Sequence, residues 1–263
     1  MNQKNFEFLR DQLKYTGFGE GLAEPLRANL QRQEPTFTLE HRTAYGTDEM
    51  HTTLYFKKSP ETDRYFFNKY AVSLQEGPQG TPLRHTFYVH RDQAFTHKES
   101  YNLLKGRAVN KDLVSKEGKP YNAWVEMDLN PADNGSFTFR KYSGNYGFDP
   151  EKALGKLPLR GLSEETEQQR LLQGLRKGNV VPVTYTAEDG SERKGFIQTH
   201  PRFKQVHLYD QNWQRVRLGP REATRPVDAD TPQKSARRGA VEADAEHEPA
   251  ITQARKKKGI ART

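Results

Sequence analysis

The chain has 263 residues, with 42 Lys and Arg against 34 Asp and Glu, a net charge of +8 and no cysteine. Absence of cysteine excludes disulfides, thiolate metal sites and cysteine nucleophiles, and suits a reducing cytoplasm. Hydrophobic residues make up 33% and mean hydropathy is −1.00, but apolar residues concentrate before Gly219, which predicts a compact body with a solvated tail.

The first elements are two helices, marked by Phe6, Leu9 and Leu13 and then by Leu22, Leu26 and Leu30 at helical spacing. Between them lies Gly17-Phe18-Gly19-Glu20-Gly21. A dinucleotide loop follows a strand and opens a helix, whereas this one follows a helix. Gly17 therefore reads as a helix-capping glycine and Phe18 as a contact for the helix pair.

From Thr36 the period changes to two. Phe37/Leu39, Leu54/Phe56, Phe66/Tyr70/Val72/Leu74 and Phe87/Val89 predict four strands, separated by turn-forming segments such as Gly46-Thr47-Asp48. Short connections favour an antiparallel meander with the helix pair on one face. Residues 1–95 form this first module.

Thr96-His97-Lys98-Glu99 is a capping box that opens a third helix, ending near Gly106. Strands are expected through Val109, over Tyr121–Leu129 and around Phe137/Phe139, with turns at Lys116–Lys119 and Pro131–Gly135. A helix from about Ser163 to Lys177 then precedes strands at Val181/Val183/Tyr185, Gly195–Thr199, Val206/Leu208 and Val216/Leu218. Its early Glu164, Glu165 and Glu167 and late Arg170, Arg176 and Lys177 match the helix macrodipole.

These two stretches repeat one another at an offset of 72 (177 − 105). Lys105-Gly106-Arg107-Ala108-Val109 aligns with Lys177-Gly178-Asn179-Val180-Val181, Glu117-Gly118 with Asp189-Gly190, and Trp124-Val125 with Phe196-Ile197. Each copy has a leucine pair in its helix, Leu103-Leu104 and Leu171-Leu172. A repeated helix-then-hairpin unit is an architectural signal. The expected fold class is α+β: helix pair plus antiparallel meander (1–95), two related helix-plus-antiparallel-sheet units (96–160 and 161–218), and a disordered tail (219–263) with an acidic cluster at Glu242–Glu248 and a basic tip from Arg255 to Arg262.

Phe6-Glu7-Phe8-Leu9-Arg10-Asp11-Gln12-Leu13-Lys14-Tyr15-Thr16-Gly17-Phe18-Gly19-Glu20, Tyr65-Phe66-Phe67-Asn68, Gly106-Arg107-Ala108-Val109-Asn110-Lys111-Asp112-Leu113 and Tyr121-Asn122-Ala123-Trp124 carry a resemblance that Asn145–Asp149, Lys177-Gly178-Asn179 and Pro201-Arg202-Phe203-Lys204 continue. The chain resembles a family of uncharacterised proteins carried on bacterial conjugative and other mobile elements. The resemblance covers most of residues 1–218 in two adjacent modules. It implies a cytoplasmic accessory role in transferable DNA and supplies no catalytic residues.

Catalytic patterns are lacking in the linear sequence. The eight histidines form no H-E-x-x-H, and neither G-x-x-x-x-G-K-[ST] nor G-x-S-x-G occurs. Glu126 and Asp128 share a strand face and are read as solvated. No metal site and no cofactor are expected, and the chain reads as no enzyme. No run approaches the ~18 apolar residues of a membrane span, and Met1–Asn5 leads into no apolar signal core. A cytoplasmic location without membrane contact is the expectation.

Positive charge attracts nucleic acid in a salt-dependent, sequence-blind way. Alternation turns Asn122, Trp124, Glu126 and Asp128 outward in the first unit, and Lys194, Phe196, Gln198 and His200 outward in the second. A ring beside Arg107 and Lys119, or beside Lys194 and Arg193, is how sheets stack bases. Packing of both rings against the preceding helix is the competing account. A second basic-aromatic cluster comprises Arg202, Phe203, Lys204, His207, Tyr209, Trp213, Arg215 and Arg217, with Gln205, His207 and Tyr209 opposite to Val206 and Leu208. The nucleic-acid-binding set is thus Arg107, Lys119, Trp124, Lys194, Phe196, Arg202, Lys204, Arg215 and Arg217, with Lys256, Lys257 and Lys258 in the tail, toward DNA or RNA. The alternative is an adaptor whose repeat faces bind a protein partner of the mobile element and make no nucleic-acid contact.

Overall fold

Leucine and phenylalanine at helical spacing bury one stripe of each N-terminal helix, α1 (Gln3–Tyr15) and α2 (Ala23–Arg32). The computed structural model describes residues 1–77, 80–89, 94–130 and 137–217. The α1 helix ends in a Schellman arrangement: the Gly17 amide donates to Lys14 and the Phe18 amide to Leu13. That geometry requires the left-handed backbone of Gly17, at φ 87°. The cap aims Phe18 inward, edge-on to Phe67, Tyr70 and His41.

Strands β1 (Thr36–Tyr45), β2 (Asp48–Lys58), β3 (Tyr65–Gln75) and β4 (Leu83–Tyr88) form an antiparallel meander in chain order. Their inward row Leu39–Leu54–Tyr70–Phe87 meets Leu9, Leu13, Leu26 and Leu30 in one core. One expected position is corrected. Phe66 does not share the inward face with Tyr70: the register slips between Tyr55 and Phe56, so Tyr55 pairs with Lys69 while Phe56 pairs with Phe67. Asn68 is the extra residue of a β-bulge, which turns Phe67 inward and leaves Phe66 47% exposed.

The helix α3 (His97–Leu104) opens with the expected capping box, the Glu99 amide donating to Thr96 Oγ1 and the Thr96 amide to Glu99 Oε2. It is followed by β5 (Val109–Val114), β6 (Pro120–Asp128) and β7 (Thr138–Ser143), a three-stranded antiparallel sheet. Tyr101, Leu103, Val109, Val125 and Met127 belong to the same apolar cluster as Phe6 and Leu54. The first repeat unit and the N-terminal module thus share one core. His97 sits inside it, 1% exposed and within 3.1 Å of Thr52 Oγ1.

A second core gathers Ala153, Leu154, Leu171, Leu172, Leu175, Val181, Ile197, Val206 and Leu208. It is built by the short helix α4 (Pro150–Leu154), the helix α5 (Glu165–Arg176), and β8 (Val181–Thr186), β9 (Glu192–His200) and β10 (Gln205–Asp210) in an antiparallel meander. Five residues give too little period to signal α4 in the sequence; Asp149 starts it by accepting from the Glu151 and Lys152 amides. The segment around Val216 is not a strand but runs beside β10 through a single bridge, Tyr209 to Arg215. The Pro131–Gly135 turn, Leu218 and the tail from Gly219 lie outside the described residues.

The two units share one backbone pattern through the helix end and the first hairpin. Val109 pairs with Val125 as Val181 pairs with Ile197, and Leu113 with Tyr121 as Tyr185 with Arg193. The Gly106 and Gly178 amides donate to Leu103 and Leu175, the Arg107 and Asn179 amides to Asn102 and Gly174. The hairpin bonds Ser115 to Lys119 and Ala187 to Ser191 match as well. The same offset makes Leu175, not the Leu171-Leu172 pair, the counterpart of Leu103. The twin loops touch: Asn102 Nδ2 donates to the Lys177 carbonyl at 2.6 Å and to Asn179 Oδ1 at 2.9 Å. Among the described residues no helix is long and apolar enough to cross a membrane.

Candidate nucleic-acid interface

The sheet β8–β9–β10 buries one face against α5, and alternation dictates what the other face carries. Gly195, Ile197 and Thr199 of β9 and Val206 and Leu208 of β10 point inward. Phe196 therefore lies outward between Pro182 of β8 and Tyr209 of β10, with Lys194 at one end of the strand and Gln198 and His200 at the other. This is the expected orientation.

Beyond β10 the chain reverses around Asp210, whose carboxylate accepts from the Asn212 and Gln214 amides. The Trp213 amide donates to the Asp210 carbonyl, and Trp213 adopts φ 61°. A bulky residue in the left-handed region is costly, of order 1–3 kcal/mol, and persists where the surroundings impose it. Here it lays the indole flat on Phe196, with ring centroids 5.1 Å apart and planes 8° from parallel. The outer indole face stays open, and Trp213 is 56% exposed. Tyr209 leans on the same indole at 5.9 Å.

Next to this stack lie His200 and His207, stacked at 4.0 Å. Each imidazole reaches the Tyr209 hydroxyl, at 3.2 Å and 3.4 Å, and His207 Nε2 also meets Gln205 Oε1 at 3.1 Å. Burial lowers His200 to about 4, with Arg215 adding to it. Burial, then the charges of His200 and Arg215, lowers His207 to about 3. Both rings are neutral at physiological pH and offer flat π-surface, while the charge comes from Lys194, Arg215 and Arg217. Arg215 is held toward the histidines by donating to Gln205 Oε1 at 3.1 Å. His200 and His207 were visible in the sequence, but their stacking depends on the 3₁₀ turn Pro201–Phe203 that folds β10 back on β9.

The basic residues at that turn are partly engaged. The Arg202 guanidinium lies 5.6 Å from the Phe203 ring, and the Lys204 ammonium 4.9 Å from the Tyr146 ring, whose hydroxyl donates to the Arg202 carbonyl. Arg193, at the far end, is paired with Asp189 at 2.6 Å.

The first unit offers no matching surface, and its expected role is corrected. Trp124 does point away from the shared core, but Phe148 packs edge-on against it at 5.2 Å and leaves it 5% exposed. The ring that covers it comes from the segment joining the two units. Trp124 forms the floor of a cleft of about 690 Å³ with Asn110, Asp112 and Asn122, rimmed by Arg176 and Lys177 of the second unit. Arg107 is not beside an open ring either: it donates to Asn102 Oδ1 at 2.9 Å and lies 5.1 Å from the Tyr101 ring in the twin-loop junction. Lys119 is exposed at the β5–β6 hairpin. Lys256, Lys257 and Lys258 lie outside the described residues. The structure thus brings Lys194, Phe196 and Arg215 to one face, adds Trp213, leaves Arg217 exposed two residues after Arg215, and separates Arg107, Lys119 and Trp124 from them. No cluster of three or more His, Asp or Glu suited to a metal occurs among the described residues.

Comparison of the chain with protein-family models, with curated proteins and with solved structures gave no match.

Proposed function

We propose that the protein is a non-enzymatic nucleic-acid-binding protein whose main contact is the outward face of β8–β9–β10. The observation that carries this reading is the Phe196–Trp213 stack, held in place at a backbone cost, with one indole face open to solvent. Such a ring is a stacking platform for a base, worth about 1–3 kcal/mol per base. Lys194 and Arg215 on the same face, with Arg217 exposed nearby in the chain, supply cations for a phosphate backbone, and the net charge of +8 favours any polyanion. The basic residues of the tail would add affinity without sequence preference. An accessory role in transferable DNA rests on the resemblance of the sequence motifs alone.

The chain has two tryptophans, one buried and one exposed, so its own fluorescence tests the reading. In a Trp124→Phe variant, titration with an oligonucleotide at low salt is expected to quench Trp213. Trp213→Ala should weaken binding by roughly 5- to 150-fold. An unquenched Trp213 with both DNA and RNA overturns the proposal and leaves a protein partner as the occupant of this face.

A further inference from the structure

The four-stranded sheet β1–β4 covers α1 and α2 with one face only, and the pairing register defines what its other face displays. One row across the strands reads Thr38–Tyr55–Lys69–Tyr88. A second row, Arg42–His51–Ser73–Arg84, lies four residues further along β1, about 13 Å away. Between them runs Glu40–Thr53–Ala71–Thr86, short side chains apart from Glu40, which accepts from Thr53 Oγ1 at 3.0 Å. The bulge at Asn68 adds Phe66 beside Lys57 at the near end.

One end of this face carries rings interleaved with Lys57 and Lys69, and the other end carries Arg42 and Arg84. Tyr88 is 50% and Phe66 47% exposed, and the Lys69 ammonium lies 5.1 Å from the Tyr55 ring centroid. Arg42, Lys57 and Arg84 are in no ion pair among the described residues, and among the residues paired in this sheet Glu40 and Glu49 are the acids on the face. Tyr55 and Tyr88 are two strands apart, about 10 Å, a spacing wide enough for two separate bases.

We propose that this face is a second binding platform, for single-stranded nucleic acid, with bases stacked on Tyr55 and Tyr88 and the backbone running along Arg42 and Arg84. The charge complementarity selects a polyanion, and the flat, ring-studded sheet selects unpaired bases, because a duplex presents no base faces to it. The inference shares its ligand class with the proposed function but rests on a different sheet and different residues.

The test is a titration of the full chain with a labelled oligothymidine of about 16 nucleotides and with the corresponding duplex, at low salt. Tyr55→Leu with Tyr88→Leu keeps apolar bulk but removes the rings, and is expected to weaken single-strand binding by roughly 10- to 100-fold. Tyr55→Phe with Tyr88→Phe should restore it to within about threefold, a recovery that a purely structural role for the hydroxyls would not give. Arg42→Gln with Arg84→Gln should lower the salt dependence of binding by about two phosphate contacts. The proposal is overturned if the leucine pair binds the single strand as tightly as the parent, or if the duplex is preferred. It is also overturned if Trp213→Ala alone abolishes binding of the single strand. If instead the leucine pair loses binding and Trp213→Ala changes nothing, this platform stands and the third-sheet reading falls.

Discussion

Gly178 shows how much can hang on one residue. It holds φ 74°, and a Cβ there would lie 2.8 Å from the Ala108 carbonyl oxygen and 3.1 Å from Asn102 Cβ. Both the conformation and the approach of the twin loop demand glycine. Gly178→Ala is expected to lower stability by about 2 kcal/mol or more, read as a fall in the urea midpoint. Gly190 has a similar φ of 79° with nothing within 4 Å, so Gly190→Ala isolates the conformational part at about 1 kcal/mol. His97 makes a second residue-scale prediction. Burial first, then His41 and Lys98, lowers its imidazole from 6.5 to about 3. The unfolded chain takes up a proton below pH 6.5 that the native state refuses until about 3. Stability must therefore fall as pH drops through that window, by up to about 1.4 kcal/mol per pH unit from this group. Urea melts at pH 7.5 and 5 should show the decrease, to which His85, His200 and His207 add in the same direction, and His97→Gln should remove only the share of the slope that His97 contributes.

At the level of elements, the sequence carried most of the secondary structure because its periodicities are local. Thr96 and Glu99 announced α3, and Thr96→Ala should cost about 1 kcal/mol in thermal unfolding. The orientation of Phe196 followed from alternation alone. What escaped was set by other parts of the chain. Alternation through β3 mispaired Phe66 with Tyr70 because a bulge adds one residue without any glycine to mark it. Trp124 was correctly turned off the core, yet its cover, Phe148, comes from a connecting segment whose placement no period foretells. Trp213 stood in the sequence next to Arg215, but the ring stack arises from a left-handed turn, which a tryptophan does not advertise. For the same reason Trp213→Gly should weaken oligonucleotide binding by about as much as Trp213→Ala while changing the melting midpoint little, since relief of the backbone offsets the lost stack. A large fall in the midpoint would mean that the ring serves packing instead.

Across the whole molecule, the repeat is built into two different settings. The first copy gave its inward face to the N-terminal module, so that Tyr101 and Val125 join the core of Phe6 and Leu54. The second copy keeps a core of its own and leaves its outward face to solvent. The joint between them is polar and specific, with Asn102 donating to both Lys177 and Asn179. Asn102→Ala leaves the Lys177 carbonyl without this donor and should cost about 1–3 kcal/mol in urea unfolding.

The shielding of Trp124 by Phe148 governs how the protein can be dissected. A fragment that stops before residue 148 would strip the lid from an indole the intact chain conceals, shifting its emission to the red and creating an adhesive spot beside Asn122 and Asp112. Such a truncation would capture ligands that the complete protein never meets at that position, whereas a cut after residue 154 would carry the lid with it.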